Sequence, residues 1–374
     1  MVYFDNAATG GFKPRTVIET AENVMKYLAA NPGRSGHRLS VAGEKIVYDC
    51  RKELAAFFNA TPERVVFTKN CTEALNTAIF GIKKENKTVI TTVYEHNSVL
   101  RPLNSLAAAG KIKLEIAKEE NGKSLIDDIK SKLTENVCLI VMTAVNNVLG
   151  KTLPFKEVGE LAKKKGIKFI VDGAQAGGHI PLSLNDDGIS ALAVPAHKGL
   201  YGIMGAGALI LSEDTEVSPL IMGGTGTETF NLNQPDCLPE KLESGTLPLP
   251  AIAAFKEGVR YAGANLNNFA EVLENYTRYV SGALRELKNI RVYSEPNPAG
   301  IISFAAENMP SQDFADILNS EYDIAVRGGF HCAPLTHKFL GTDKNGLVRV
   351  SLAPHNSTRE INYFLSAAKE IASR

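Results

Sequence analysis

Short apolar runs alternate with longer amphipathic stretches through the first 211 residues of the chain. The runs have the length and the β-branched content of buried strands, and several of the stretches have the apolar spacing of one-sided helices. Strands that alternate with helices predict βαβ units and a largely parallel sheet, so we expect an α/β fold. The predicted strands are 64–68, 88–92, 111–117, 138–143, 168–172, 188–194 and 206–211, and the predicted helices are 14–30, 40–59, one from 72, and 155–165.

The second part of the chain has a different pattern. Residues 222–250 are rich in Gly, Pro and Thr, which is typical of a connecting loop. A long helical stretch follows at 251–287, and we predict that it is broken into two helices near Gly263. Strands at 290–293, 300–304 and 347–352 and a last helix at 358–373 complete the prediction. We therefore expect a large α/β domain of residues 12–250 and a smaller α+β domain of residues 1–11 and 251–374.

The composition excludes several classes of function. Of 374 residues, 44% are hydrophobic, which is enough for a large core without disulfides or structural metals. The 41 basic and 41 acidic residues balance, so no electrostatic argument favours nucleic acid or an anionic membrane as a partner. The most apolar runs have strand length, well below the ~20 residues of a membrane helix. The five cysteines form no CxxC pair, and the first residues show no leader pattern, so we expect a cytoplasmic protein.

An acid and a lysine follow two of the predicted strands. Asp172 ends the run 168–172, and Lys198 comes after the run 188–194. Ligands of open α/β sheets bind at the carboxyl ends of the strands, although Asp172 alone also fits a helix or turn cap. A lysine in such a place either extends to solvent or forms a Schiff base. An acid for a pyridine nitrogen and a lysine for an aldehyde are the pair that pyridoxal phosphate requires.

Three further polar residues follow predicted strands. Thr72 lies where a helix begins, so it suits either a phosphate at the helix N-terminus or an ordinary cap. His96 suits either stacking on a cofactor ring or a helix start. Asn147 suits either a hydrogen bond to a ligand or a turn before Gly150. Each pattern alone leaves both interpretations open.

Taken together, these motifs resemble a known family. They comprise His96, residues 147–150, 172–175, 197–198, 327–333 and 349–353, and they occur in order along nearly the whole chain. The set resembles the class-V pyridoxal-phosphate enzymes of fold type I, and within them the cysteine desulfurase and selenocysteine lyase branch. The resemblance implies a large cofactor-binding domain with a mostly parallel central sheet and helices on both faces. It also implies a smaller α+β C-terminal domain.

The resemblance implies a role for each residue of the cofactor site. Lys198 would hold the cofactor aldehyde, Asp172 the pyridine nitrogen and Gln175 the ring oxygen, and His96 would stack on the ring and take part in catalysis. The phosphate would be held by a further set: Thr72, the amide of Cys71, His197 and, from a neighbouring subunit, Thr246. Such a shared site implies a homodimer.

The phosphate site departs from the family pattern at one place. Pro195 stands where many members of the family have a hydroxyl residue shortly before the lysine. A proline supplies neither a hydroxyl nor a backbone N–H, so we expect a phosphate site that is either weaker or completed by Thr225 or Thr227.

The resemblance also assigns the substrate site. Arg349 would bind the carboxylate of the substrate with two hydrogen bonds, aided by Asn147, and Arg327 would also belong to the substrate site. Arg327 and His331 would supply a positive field that activates the thiol of Cys332. Cys332 occupies the position that takes the substrate sulfur as a persulfide in such enzymes. For the other cysteines, a structural role is the simpler interpretation.

The resulting prediction is a cysteine desulfurase that converts L-cysteine to L-alanine and transfers sulfur to Cys332. The segment between Cys332 and the turn at 341–346 is short, which resembles enzymes that depend on a sulfur-acceptor protein. Selenocysteine lyase and class-V aminotransferase activities are alternatives, and Cys332 would be dispensable for transamination. An alternative of another class is a non-catalytic scaffold or sulfur-carrier binding module, which would bind no cofactor.

Overall fold

Strands of the chain form three sheets. The computed structural model describes residues 1–84 and 87–374, and within these ranges it contains twelve strands. They are β1 (Val2–Tyr3), β2 (Val65–Thr68), β3 (Lys87–Thr92), β4 (Ile112–Ala117), β5 (Val137–Thr143), β6 (Lys168–Asp172), β7 (Ala191–Pro195), β8 (Gly207–Leu211), β9 (Ile290–Val292), β10 (Ile301–Ala306), β11 (Ile324–Ala325) and β12 (Val348–Ser351).

The central sheet has seven strands in the order β2-β8-β7-β6-β5-β3-β4. Strands β3 to β7 pair in parallel, and β8 is antiparallel to both of its neighbours, β2 and β7. Alternate residues of β5 belong to two separate apolar cores: Ile140 and Met142 to one, Leu139 and Val141 to the other. Both faces of the sheet are therefore covered, which is why its strands are almost continuously apolar. The predicted α/β fold class is confirmed.

Ten α-helices lie in the described ranges. They are α1 (Arg15–Tyr27), α2 (Arg38–Phe58), α3 (Cys71–Gly81), α4 (Asn97–Ala108), α5 (Leu125–Lys132), α6 (Phe155–Lys165), α7 (Leu249–Arg285), α8 (Ser311–Tyr322), α9 (Pro334–Leu340) and α10 (Thr358–Ala372). Helices α3 and α4 bury their apolar residues in the core on one face of the sheet, and α2 and α6 in the core on the other. No helix in the described residues is both long and apolar enough to cross a membrane.

The predicted break near Gly263 is wrong, because α7 is one continuous helix from Leu249 to Arg285. A glycine in a helix interior costs only about 1 kcal/mol relative to alanine. The burial of Phe255 and Phe269 on either side of Gly263 offsets this cost. The helix contributes Phe269 to the core beside the central sheet and Leu273 to a third apolar core. The division into domains at residue 250 remains a proposal.

The third core belongs to the two small sheets. Strands β12, β10 and β9 form an antiparallel sheet, and β1 pairs in parallel with β11. The chain after β1 continues beside β12, where Asp5 forms a bridge with Ser351. Four elements were not predicted. The strands β1 and β11 and the helix α9 are too short to show a clear periodicity, and the pattern of α8 was missed. These elements bring residues from both ends of the chain to the end of the central sheet.

Candidate active site

Polar residues follow five strands at one edge of the central sheet. Thr72 comes after β2, His96 after β3, Asn147 after β5 and Lys198 after β7, while Asp172 ends β6. Because parallel strands end at the same edge, these side chains meet, and they line one cavity of about 240 Å³. The cavity is also lined by the other predicted residues Cys71, Gln175, His197, Arg327 and Arg349. The structure thus brings together ten of the twelve predicted site residues; Thr246 and Cys332 do not line the cavity.

Asp172 is a buried carboxylate at the base of the cavity. Asp172 is only 3% exposed. Its Oδ1 accepts hydrogen bonds from the backbone N–H of Ala174 at 2.9 Å and from Sγ of Cys71 at 3.5 Å. Burial and the nearby Asp172 raise the pKa of Cys71 well above its usual value, so Cys71 is a neutral thiol that donates. These donors hold the carboxylate in a fixed orientation at the end of β6.

Lys198 lies in a tight loop against the turn that follows Gln175. Gly178 has a φ of 84°, and a Cβ on it would lie 2.0 Å from the carbonyl oxygen of Gly199. Glycine is therefore required where the two segments touch. Desolvation lowers the pKa of Lys198, and the charge of Asp172 acts in the opposite direction. A lysine with a lowered pKa has more free amine, which makes it a better nucleophile.

Two histidines of the cavity are neutral at pH 7. Burial lowers the pKa of His96 and that of His197 to about 4. His96 also starts α4, because its Nδ1 accepts the N–H of Ser98 at 3.1 Å. The Nδ1 atom of His197 lies 3.2 Å from the hydroxyl of Thr9. Each predicted functional histidine thus has a structural contact as well.

One end of the cavity offers donors for an anion. Asn70 caps α3 by accepting the N–H of Glu73, and the N–H groups of Cys71 and Thr72 have no acceptor among the described residues. The hydroxyl of Thr72 lies 2.8 Å from that of Ser98. Ser98 lines the cavity and was not predicted, although its position just after His96 at a helix start was a possible signal. Free amides and hydroxyls at a helix N-terminus suit a phosphate.

The other end of the cavity is formed by Arg349 and Asn147. Arg349 is 1% exposed, and it donates from Nη1 to the carbonyl of Asn147 at 3.0 Å and from Nη2 to Oδ1 of Asp5 at 2.9 Å. Asn147 donates from Nδ2 to the carbonyl of His331 at 2.8 Å. The Nε of Arg349 and the Oδ1 of Asn147 are buried without a partner. This end therefore keeps one unused donor and one unused acceptor, which suits a polar ligand.

The segment 327–332 forms a wall of the cavity. Arg327 pairs through its backbone with Arg349, and its side chain lines the cavity. His331 is buried, and burial together with the charge of Arg349 lowers its pKa well below the usual value. His331 is therefore neutral, so it does not supply the positive charge that was expected beside Cys332. Cys332 is exposed, outside the cavity lining.

Three predicted threonines lie away from the cavity of their own chain. Thr246 accepts a hydrogen bond from Asn31, and the hydroxyls of Thr225 and Thr227 lie 3.2 Å apart beside Gly226. The segment lines a second surface groove, in which Arg34 donates to the carbonyl of Gly245. Thr225 and Thr227 do not line the cavity of this chain, because they lie in the second groove. The role of Thr246 at a neighbouring subunit stays a prediction.

The sequence profile of the family described as aminotransferase class-V matches residues 2–364. The match covers nearly the whole chain and every residue of the cavity. The chain belongs to the class-V aminotransferase family. Enzymes of this family depend in general on pyridoxal phosphate.

Similar members of the class-V family come from archaea and bacteria. A protein of Pyrococcus abyssi named "Probable cysteine desulfurase" is 32% identical, and the alignment covers 99% of this chain and 94% of that protein. A protein of Shigella sonnei named "Cysteine desulfurase" is 29% identical over 99% of this chain and 93% of its own. The apo structure of cysteine desulfurase from Thermococcus onnurineus NA1 superposes with a TM-score of 0.93 at 32% identity, covering 100% of this chain and 94% of that one.

The cavity residues fit the cofactor of the class-V family. Asp172 is a buried carboxylate, suited to a protonated pyridine nitrogen, and Lys198 is an amine with a lowered pKa, suited to an aldehyde. The hydroxyls of Thr72 and Ser98 and the free amides of α3 suit a phosphate. The partnerless Oδ1 of Asn147 is an acceptor and therefore suits a hydroxyl group.

Proposed function

We propose that this chain is a cysteine desulfurase, which removes sulfur from L-cysteine and releases L-alanine. The observation that carries the proposal is the position of Cys332. This cysteine is exposed, and it directly follows His331, which lines the cavity that contains Lys198 and Asp172. The names of the similar proteins from Pyrococcus abyssi and Shigella sonnei support the same reaction.

Pyridoxal phosphate is the proposed cofactor. Lys198 would bind its aldehyde carbon, Asp172 its ring nitrogen and Gln175 its ring oxygen. The phosphate would be held by Thr72, the amide of Cys71 and His197, and we add Ser98 to this group because its hydroxyl lies beside that of Thr72. When bound, the cofactor supplies an electron sink for negative charge at the Cα atom of the amino acid.

The proposed roles of the cavity residues follow from their charges. Arg349 binds the carboxylate of L-cysteine, and Arg327 adds a second positive charge beside it. The amine of Lys198 removes the Cα proton, and its lowered pKa favours the unprotonated form that this step needs. The neutral ring of His96 can stack on a cationic cofactor ring without charge repulsion.

The sulfur step leaves its product on Cys332. The Cβ–S bond of L-cysteine breaks, and an S–S bond forms between that sulfur and Sγ of Cys332. One cysteine and one thiol give one alanine and one persulfide, so the step needs no external oxidant or reductant. The backbone at His331 and Cys332 has φ values of 51° and 55°, a strained arrangement that presents the thiol on the surface.

We propose that the enzyme is a homodimer in which Thr246 reaches the phosphate site of the neighbouring subunit. The segment before Thr246 supports this proposal, because Phe230 and Leu232 are fully exposed in the single chain and Met222 is 73% exposed. Apolar side chains so exposed are typical of a surface that a second subunit covers. The expected result of size-exclusion chromatography with light scattering is a mass of two chains.

We further propose a sulfur-acceptor protein as a partner and the cytoplasm as the location. The exposed side chain of Cys332 leaves a persulfide there within reach of a thiol on another protein. All five cysteines carry free thiols, which supports a reducing compartment. The test measures sulfide release from L-cysteine with and without a dithiol, which serves as a small sulfur acceptor. We expect the dithiol to accelerate turnover.

The proposed activity is tested by titrating the purified holoenzyme with L-cysteine. The visible spectrum is recorded, and L-alanine and sulfide are measured in the same samples with a dithiol present. We expect the visible band of the bound cofactor to decrease and alanine and sulfide to appear in equal amounts. Cofactor binding without sulfide release would instead favour transamination, and a chain that binds no cofactor would favour a scaffold.

Two cysteine variants make the test specific. We expect Cys332→Ala to keep the cofactor band and to lose sulfide release by at least ~100-fold, because no thiol remains to take the sulfur. Cys237→Ala is the matched control, since Cys237 is also exposed and lies outside the cavity lining. Full desulfurase activity in Cys332→Ala would contradict the proposal.

A further inference from the structure

The guanidinium of Arg349 is held by a residue from the other end of the chain. We propose that Asp5 is a positioning residue for recognition of the substrate carboxylate: it fixes Arg349 so that the edge containing Nε meets the carboxylate. The inference rests on the proposed function, in which Arg349 binds the carboxylate of an amino acid. It adds an acidic side chain from the N-terminal segment, whose Ala7 and Ala8 already line the cavity.

The hydrogen bonds of Arg349 define which donors remain for a ligand. Nη2 donates to Oδ1 of Asp5 at 2.9 Å, and Nη1 donates to the carbonyl of Asn147 at 3.0 Å. The Nε–H has no acceptor. In any guanidinium, Nε–H is parallel to one N–H of Nη2, and this edge binds a carboxylate with two hydrogen bonds. The two existing bonds restrict rotation of the guanidinium and leave Nε–H as its unpaired donor for a ligand.

Asp5 is itself firmly placed. Its neighbours bind β12 on both sides: the carbonyl of Phe4 accepts the N–H of Ser351 at 2.7 Å, and Nδ2 of Asn6 donates to the carbonyl of Ser351 at 2.9 Å. The hydroxyl of Ser351 also accepts the N–H of Ala7 at 2.9 Å. The segment 4–7 therefore lies alongside β12, the strand that carries Arg349. A carboxylate so fixed can set the direction of the arginine.

The formal charges at this end of the cavity match one further anion. Asp5 is the acid that pairs with Arg349; burial lowers the pKa of Arg349, and the charge of Asp5 acts in the opposite direction. Arg327 also lines the cavity, and it has no ion-pair partner among the described residues. The two arginines and Asp5 carry a net charge of +1, which one substrate carboxylate neutralises. The expected ligand class is thus a monocarboxylate amino acid.

The test compares two ligands that differ by the carboxylate. L-Alanine and ethylamine share the amine, and ethylamine lacks the carboxylate. Their dissociation constants are measured from the visible spectrum of the wild-type, Asp5→Ala and Asp5→Asn holoenzymes, together with kcat and KM for L-cysteine. Asp323→Asn is the matched control, because Asp323 pairs with the N-terminal amine of Met1 and not with Arg349. It loosens the same segment and leaves Asp5 intact.

We expect Asp5→Ala to raise the dissociation constant of alanine and the KM for cysteine by about tenfold each. This is the effect expected from the loss of one charge-assisted hydrogen bond. Ethylamine binding and kcat should change less than about twofold, and Asp5→Asn should bind alanine nearly as the wild type does, because its amide oxygen still accepts from Nη2. Asp323→Asn should behave as the wild type.

Two results would overturn the inference. The first is alanine binding in Asp5→Ala that equals that of the wild type. The second is equal weakening of alanine and ethylamine in Asp5→Ala, with no rescue in Asp5→Asn, which identifies a purely structural role. Failure of the proposed function has a separate signature. Suppose that the wild-type holoenzyme prefers alanine to ethylamine but releases no sulfide from cysteine. The role of Asp5 would then stand, and the desulfurase assignment would be wrong.

Discussion

The hydroxyl oxygens of Thr72 and Ser98 lie 2.8 Å apart, although the two residues belong to different helices. Thr72 is in the first turn of α3 after β2, and Ser98 is in the first turn of α4 after β3. Two helix N-termini therefore meet at one end of the cavity, and both bring a positive end of the helix dipole to it. Pro195, at the end of β7, stands where many members of the family have a hydroxyl residue, and Ser98 brings a hydroxyl to the cavity from another strand end.

This contact predicts that Ser98→Ala weakens cofactor binding. Loss of one hydroxyl donor to a phosphate should raise the dissociation constant of pyridoxal phosphate by about tenfold, equivalent to ~1.5 kcal/mol. The measurement is a fluorescence titration of the apoprotein with pyridoxal phosphate. Ser105→Ala on the same helix is the control, because Ser105 is exposed and does not line the cavity. Equal affinities in the two variants would contradict a role for Ser98.

The sequence was sufficient to predict the residues at the strand ends. Asp172 and Lys198 were found because Asp172 ends an apolar run and Lys198 lies shortly after the next one, and the carboxyl ends of parallel strands must meet. The neighbouring strands β3 and β4 are joined by α4, and β5 and β6 by α6, so local patterns determine much of the sheet and its ligand edge. The same reasoning explains why His96 and Asn147 were found.

Contacts between distant parts of the chain could not be predicted in this way. Asp5 and Arg349 are 344 positions apart, and no pattern near either residue identifies the other. The wrong prediction of a break near Gly263 had a related cause. The packing of α7 against α1 and α2 outweighs the low helix propensity of this glycine. The position of Thr246 relative to a phosphate depends on a second chain and is not determined by one sequence.

Two helical glycines should respond to alanine in opposite ways. A Cβ on Gly159 in α6 would lie 1.8 Å from the carbonyl oxygen of Asp187, whereas a Cβ on Gly282 in α7 would meet no atom within 4 Å. We expect Gly159→Ala to lower the free energy of unfolding by about 1–3 kcal/mol and Gly282→Ala to raise it by about 0.5–1 kcal/mol. Urea unfolding of the apoprotein measures both. Stabilisation by Gly159→Ala would show that α6 does not contact Asp187 so closely.

The buried ion pair of Arg51 and Glu243 should matter far more than an exposed one. Nη1 of Arg51 donates to Oε1 of Glu243 at 2.8 Å, and both side chains are less than 10% exposed. Glu243→Gln leaves a buried guanidinium without its counter-charge, so we expect a loss of about 3–5 kcal/mol in the free energy of unfolding. Glu53→Gln removes the more exposed pair with Arg260 and should cost less than about 1 kcal/mol. Similar losses in both variants, measured by urea unfolding, would contradict this difference.

His179 should make the protein less stable in mild acid. Burial lowers its pKa to about 4, and its Nδ1 lies 3.1 Å from the carbonyl of Gln175. An unfolded histidine has a pKa near ~6.5, so below that pH the unfolded state takes up a proton that the folded state does not. The contribution of neutral His179 to the free energy of unfolding is therefore fully present above the pKa of the unfolded state, and it is lost as the pH decreases from about 6.5 towards 4. At pH 5 the contribution of this one group is a loss of ~2 kcal/mol relative to pH 7.5.

The variant His179→Asn isolates this effect, because an asparagine amide can replace the Nδ1–H donor but does not titrate. Urea unfolding of the apoproteins at pH 7.5 and pH 5 should show a fall in stability that is about 2 kcal/mol smaller in the variant than in the wild type. His96 and His197 also have a pKa of about 4, so part of the acid sensitivity should remain in the variant. Equal falls in the two proteins would mean that His179 is protonated in the folded state at pH 5, and that its environment is more polar than the contact with Gln175 indicates.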